Sequence, residues 1–273
     1  MKALKNQLGT MDQRYFQIAF LFGLMMYGWL ILKIPQLTIP YVATIFITAQ
    51  AIQWLFSRAI NIPYDFRSPL ISSFSISILL SSPSVLIGMF AATLMVASKF
   101  LLRIEGKHIY NPANFAVIVP ILLFPQVAAF VPQQWSGTAI MTSLVIVVCG
   151  LLVTHTIRRY DIAFYFLGFH IVTSLIFSGL GYVTLGALLQ QFASVALLLF
   201  TFFMITDPKT IPNTKTGRLL YAFFCAGFGG VLNYIFHIQP GFVYALFIAA
   251  LFLPAIDRVL VGERFEWRSK KLV

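Results

Sequence analysis

Charge is what this chain has least of. Asp, Glu, Lys and Arg together make up 10% of its 273 residues, whereas 59% are hydrophobic and the mean hydropathy is +0.88. A water-soluble domain of this size covers its core with charge, so the composition excludes one and makes lipid the solvent. Acidic residues number only eight (Asp12, Asp65, Glu105, Asp161, Asp207, Asp257, Glu263 and Glu266), all in or beside the predicted loops. Intramembrane carboxylates mark proton relays and ion-coupled carriers, so their absence from the apolar runs counts against a conventional ion-coupled transporter. Cysteine is nearly absent too: Cys149 and Cys225 lie inside apolar spans without a second ligand at metal spacing, which reads as core packing and fixes no redox compartment. There is no Walker motif, no GxGxxG between strand and helix, no HExxH and no nucleophile elbow, so nothing supports a hydrolase or a nucleotide-driven pump. No small-residue cleavage site follows the first apolar stretch, which therefore reads as a retained helix and not a signal peptide.

What is present is a series of apolar runs near the roughly 20 residues that a spanning helix needs. They predict an all-α polytopic membrane protein with about ten segments, at 15–34, 40–57, 69–82, 84–103, 112–131, 138–157, 162–180, 184–205, 217–236 and 241–260. The third, SPLISSFSISILLSSP, is short, serine-rich and bounded by Pro69 and Pro83, so it reads as a half-helix or re-entrant segment in place of a full crossing. No soluble domain or long linker interrupts the series, which makes residues 1–273 one membrane domain with a tail from 261. Of 28 Phe, most supply lipid-facing and packing surface; Trp135 and Tyr182 fit an outer interfacial belt, Trp54 and Trp267 an inner one.

The formal net charge of +11 is a matter of topology. Eighteen of the 19 basic residues fall on the even-numbered side, before the first span, at or beyond the span ends on that side or in the tail, Lys33 being the exception. That positive-inside bias predicts a bacterial inner membrane protein with both termini in the cytoplasm, and leaves no basic face for nucleic acid. The halves 15–131 and 138–260 hold five segments each, an odd number, which permits an inverted repeat. Prolines break both halves, Pro83 and Pro112 in the first and Pro208 and Pro212 in the second, and discontinuous helices of this kind commonly build a site at a repeat interface.

Two stretches carry more polar groups than topology requires. In SKFLLRIEGKHIYNPANFAVIVPILLFP (98–125), Asn111 and Pro112 predict a capped helix start, which beside Lys107 and His108 would suit a phosphate or quinone oxygen. The other reading is an ordinary helix–turn–helix with topogenic charges. In FMITDPKTIPNTKTGR (203–218), Asp207-Pro208 ends an apolar helix amid Thr206, Thr210, Asn213, Thr214 and Thr216. Asp65, ahead of the short third segment, makes a third entry point, with a salt bridge to Arg67 or a neighbouring loop as its plainer role. His170, the one ionisable residue near mid-span, reads as a neutral histidine hydrogen-bonded to a neighbouring helix.

At these stretches the sequence resembles a known superfamily, NqrB/RnfD, the NqrB membrane component of the sodium-pumping NADH:quinone oxidoreductase and its RnfD counterpart in the Rnf electron-transport complex. SK…GKHIYNPANF…LFP is similar to its helix–loop–NP signature, FFMITDPKTIPNTKTGRLLYAF to its TDP…GR signature, and Asp65 with its small neighbours to its D-x-S segment. The resemblance implies ten helices in two inverted five-helix repeats akin to urea-channel folds. It also implies electron transport with partner redox or membrane subunits, possible ion coupling, and a flavin, FMN or riboflavin, or a quinone. It places the ligand at Asp65, Lys99, Lys107, Asn111, Pro112, Asn114, Thr206, Asp207 and Pro208. Covalent FMN in the family hangs on a Thr in an S-x-A-T loop; here the shorter SGTA of 136–139 reverses the order, so Thr138 is a weak counterpart and a noncovalent flavin is expected. The compact loops look closest to a stand-alone branch that includes the enediyne biosynthesis protein UnbU. A permease for a small neutral solute, using the same interface as a pore, is the alternative reading; a scaffold acting through the basic tail is a third.

Overall fold

A computed structural model describes residues 12, 14–130, 139–156, 159–192 and 194–265. Every predicted segment is helical: α1 Arg14–Leu30, α2 Ile39–Ala59, α3 Arg67–Leu79, α4 Val85–Leu101, α5 Pro112–Leu123, α6 Ala139–Thr156, α7 Tyr160–Gly179, α8 Leu185–Phe192 with α9 Val195–Leu199, α10 Lys215–Tyr234 and α11 Gly241–Val259. The helices α2, α7 and α11 are long and apolar enough to cross a membrane, and α8 with the segment Val195–Met204 is long and apolar enough only as a pair bent by 51°, the form of a broken span or a re-entrant loop. Only 22% of the apolar window of α2 is buried, and Ile47, Leu152, Val172 and Phe252 stand exposed on their helices. Such surface is stable only against lipid, so the chain is an all-α membrane protein.

Two predicted spans need correction. The fifth was expected to run over 112–131, but α5 stops at Leu123, where Phe124 leaves helical geometry ahead of Pro125. The eighth is a broken helix whose last part, Phe200–Met204, is a π-helix. The short third segment is as expected: α3 has 13 residues, about 20 Å at 1.5 Å per residue and less than a bilayer's hydrocarbon core. Backbone groups inside a membrane must find partners within the protein. The extended tails of α3 and α5 find them in each other, β1 Leu80–Ser81 pairing antiparallel with β4 Ala129–Phe130, Leu80 opposite Phe130.

The two halves share a packing scheme. In each, the first helix packs on the third element, the second on the fourth, and the fourth on the fifth: α1 on α3, α2 on α4, α4 on α5, then α6 on α9 and the π-helix, α7 on α10, α10 on α11. The principal helix contacts between halves join counterparts, α1 with α6 and α5 with α11. Small residues permit the close approaches. A Cβ on Gly88 would come within 2.9 Å of Tyr41 on α2, and one on Gly230 within 2.3 Å of Thr173 on α7.

The loops that the charge count assigns to one side do meet. A short hairpin, β2 Arg103–Ile104 and β3 Lys107–His108, turns through Glu105 and Gly106, both at positive φ, and lies against the 205–214 loop and the chain after α11.

Candidate functional site

Both polar stretches and the start of α3 open onto one cavity of about 190 Å³. From the first half it is lined by Arg14, Asp65, Ser68, Ser72, Ser75, Lys99, His108, Asn111, Pro112 and Ala113; from the second by Phe202, Met204, Thr206, Asp207, Pro208 and Lys209, among others. Asp65, Lys99, Asn111, Pro112, Thr206, Asp207 and Pro208, scattered over more than 140 positions, are thus brought together. Asn114 sits just behind them, 1% exposed.

Asn111 joins the halves. Its Oδ1 accepts from Asn114 N at 3.0 Å, capping α5, while its Nδ2 donates to Met204 O at 3.2 Å and to Asp207 Oδ2 at 3.4 Å. The Met204 carbonyl is the last of the π-helix, whose i→i+5 bonding shifts the helical register and recurs at functional sites. One turn on, Asn114 Nδ2 donates to Val243 O of α11 at 2.9 Å, and its Oδ1 has no partner among the described residues.

Lys99 is buried, 6% exposed, on the last turn of α4. The sequence counts Lys99 both among the charges that end its span and among the ligand candidates, and the last turn of α4 carries it into the cavity wall. Its ammonium donates to Ser68 Oγ at 3.0 Å, and among the described residues it forms no salt bridge. Asp65 is committed elsewhere, to Arg67 Nε at 2.8 Å and to Arg14, which with Asp12 complete a four-charge cluster. Burial alone would raise the Asp65 carboxyl, but its bonds from Arg67 and Arg14 outweigh that and hold it below the ordinary range. Asp207 is different: burial pushes its carboxyl up, against the opposing bond from Lys209 N at 3.1 Å. His108 is held neutral, its imidazole lowered to about 3 by burial and then by Arg103, Lys209 and Lys99. Its Nδ1 is a buried atom without a partner among the described residues.

Lys107 does not join the site. Adjacent side chains of a strand point to opposite faces, so while His108 faces the cavity, Lys107 turns away and donates to Asp257 Oδ2 at 2.6 Å, Ile211 O at 2.5 Å and Asn213 Oδ1 at 3.1 Å. Thr138 lies outside the described residues. Sequence reasoning passed over Arg218, which carries the TDP…GR loop: it donates to Asp161 at 2.6 and 2.8 Å and to the carbonyls of Pro212 and Asn213. The preceding Gly217 lets Pro212 approach where a Cβ would stand 2.7 Å away. Its signal was a lone arginine inside an apolar helix. His170 has no hydrogen bond to a neighbouring helix among the described residues. It is 1% exposed and bracketed by Phe166, Phe192 and Phe242 at 5.5 to 6.1 Å, and neither ring nitrogen has a hydrogen-bond partner among the described residues.

A lipid-facing helical bundle with a charged cavity between two similarly packed halves defines a polytopic membrane protein. The chain belongs to the NQR2, RnfD, RnfE family, whose profile matches residues 127–266, and is thereby a membrane subunit of the Rnf/Nqr type. The match takes in the TDP…GR loop and both closing helices and leaves the 98–125 block upstream of it. No curated protein matches the chain.

Proposed function

We propose that the chain is the electron-transport member of an Rnf/Nqr-type assembly and that the cavity between its halves holds a redox ligand noncovalently. The observation that carries this is the meeting of Lys99, Asn111 and Asp207 on one cavity wall from three distant stretches. The ligand is an FMN, a riboflavin or a quinone, which supplies one- and two-electron chemistry when bound. Lys99 offers charge to a phosphate or a reduced ring oxygen, and the α5 N-terminus offers its dipole. At about 190 Å³ the cavity is smaller than the roughly 300 Å³ at which pockets for drug-sized ligands begin. It therefore takes a ligand's polar end, with the remainder lying between the helices.

The matching packing of the halves supports an inverted repeat, and the gathering of basic loops at one end supports a cytoplasmic orientation for that end in the inner membrane. The compact connections support a place near the UnbU-like branch. Charged walls disfavour a pore for a neutral solute. The test is the visible spectrum of the purified, detergent-solubilised protein before and after acid precipitation, with lipid extraction for quinone. Flavin in the supernatant or quinone in the extract is expected; flavin kept in the pellet would reassign the site to Thr138, and the absence of both would overturn the reading.

A further inference from the structure

We infer that the cavity between the halves is an oxyanion site in which Lys99 grips a phosphoryl group. This rests on the cavity being the ligand site, and it names the chemistry of the group that enters. Three independent features converge there. The first is Lys99 itself, a cation removed from water with only a neutral hydroxyl, Ser68 Oγ, bonded to it. Taking an ammonium out of water costs several kcal/mol unless charge compensates it, and the carboxylates nearby are spoken for: Asp65 by Arg67 and Arg14, Asp207 by Asn111 and Lys209 N.

The second feature is a pair of half-length helices that begin at this cavity. Ser68 on the first turn of α3, and Asn111, Pro112 and Ala113 at the start of α5, all line it. The start of α3 has no capping bond from its N-cap Phe66; Asp65 accepts from the Arg67 N–H, Pro69 has no N–H and Leu70 N donates to Phe66 O, which leaves the Ser68 N–H of that turn for a ligand. Two positive helix ends flanking one cation make an environment for negative charge, and discontinuous membrane helices present their N-termini to anionic groups in this way. The third feature is hydroxyl density: Ser68, Ser72 and Ser75 follow one another at helical spacing along the cavity-facing side of α3. Below them the wall turns apolar, with Ile78, Leu79, Leu199 and Phe202, so the polar head is held at one end of the cavity. Counting Arg14, Lys99 and Lys209 against Asp65 and Asp207 leaves the lining with one surplus positive charge. Asp207 opposes an anion, and its carboxylate is engaged by Asn111 Nδ2 and Lys209 N.

A phosphoryl group can arrive as free inorganic phosphate, as a phospholipid head group or as the phosphate of FMN, and the experiment separates these sources. The full-length protein in maltoside detergent, with chloride holding ionic strength constant, is titrated with inorganic phosphate, with phosphatidylglycerol, and with FMN against riboflavin, following the unfolding temperature. Wild type and Lys99→Arg are expected to be stabilised by at least one phosphoryl source, while Lys99→Met binds it about ten- to a hundredfold more weakly, the range for losing a charged hydrogen bond. FMN binding that exceeds riboflavin by that factor makes the flavin phosphate the occupant; phosphate or lipid acting alone assigns the other two sources. If Lys99→Met responds to every source as wild type does, or no source stabilises wild type, the inference is overturned. Flavin or quinone retained equally by wild type and Lys99→Met would sink the oxyanion site and leave the redox site standing.

Discussion

Lys107 and Asp257, 150 positions apart, meet with Nζ and Oδ2 separated by 2.6 Å, both side chains about 85% buried. All three ammonium protons are used, since Ile211 O and Asn213 Oδ1 take the other two, and Asp257 Oδ1 accepts from Asn213 N at 2.9 Å. The contact therefore ties the β2–β3 hairpin to the 205–214 loop and to α11. Breaking a buried pair from one side strands the other charge. Asp257→Asn and Lys107→Met are each expected to cost about 2 to 4 kcal/mol, the double variant less than their sum. Labelling of the buried thiol of Cys225 during thermal unfolding measures this, because that sulfur is reached only when α10 comes away.

Asn111 serves two partners with its two ends, and substitutions can separate them. Asn111→Ala removes the cap of α5, about 1 kcal/mol, and takes away the shorter of the two bonds to the Met204 carbonyl, leaving it the Asp207 N–H at 3.4 Å, about 1 kcal/mol more. Asn111→Asp keeps a capping oxygen but puts a second carboxylate against Asp207. Its ligand binding is expected to fall at neutral pH and recover in part as pH is lowered, read from the retained ligand absorbance at each pH.

His108 gives a pH dependence of defined sign. Its folded-state value is lowered to about 3 from an ordinary 6.5, so between those limits the unfolded chain binds more protons than the folded one. Stability contributed by the neutral imidazole is present above pH 6.5 and is lost progressively as pH falls toward 3. His108→Gln, which has no such titration, is expected to flatten the acid limb of unfolding temperature against pH over that window.

Glycines at helix crossings and on lipid-facing surface should respond in opposite ways to the same methyl group. A Cβ on Gly229 would meet backbone of Phe242 at 2.9 to 3.0 Å, so Gly229→Ala must part α10 from α11 and is expected to cost about 1 to 3 kcal/mol. Gly168 has nothing within 4 Å of its Cβ position, so Gly168→Ala is expected to be neutral or to stabilise by up to about 1 kcal/mol through helix propensity. Thermal unfolding of the two variants side by side checks the contrast.

Hydrophobic run length, proline and capping chemistry are local properties, and they were read correctly where they act locally. The short third segment and the Asn111-Pro112 helix start both stand in the structure as the residues imply. The early end of α5 was missed because PANFAVIVPILLFP stays apolar past the break; Phe124 leaves helical geometry ahead of Pro125, and the tail then pairs with β1, 50 positions upstream. Lys99 and Lys107 looked alike as basic residues near a helix end. Only a hairpin of two-residue strands separates them, and pieces that short carry no periodicity to detect. Asn114 was flagged through the family resemblance alone, since its partner Val243 lies 129 positions away. Arg218 was counted as topology because the carbonyls it holds have no sequence signature.

The β2–β3 turn has a consequence for how this loop can change over generations. Pairing of Arg103 with His108 and Ile104 with Lys107 leaves only Glu105 and Gly106 between the strands. Losing or gaining one residue there would reverse which way the next two side chains point, delivering imidazole to the Asp257 contact and a third lysine to the cavity. Most surface loops tolerate small changes in length. This one couples its residue count to the charge of a buried chamber, so indels here should be purged where substitutions at Glu105 are accepted.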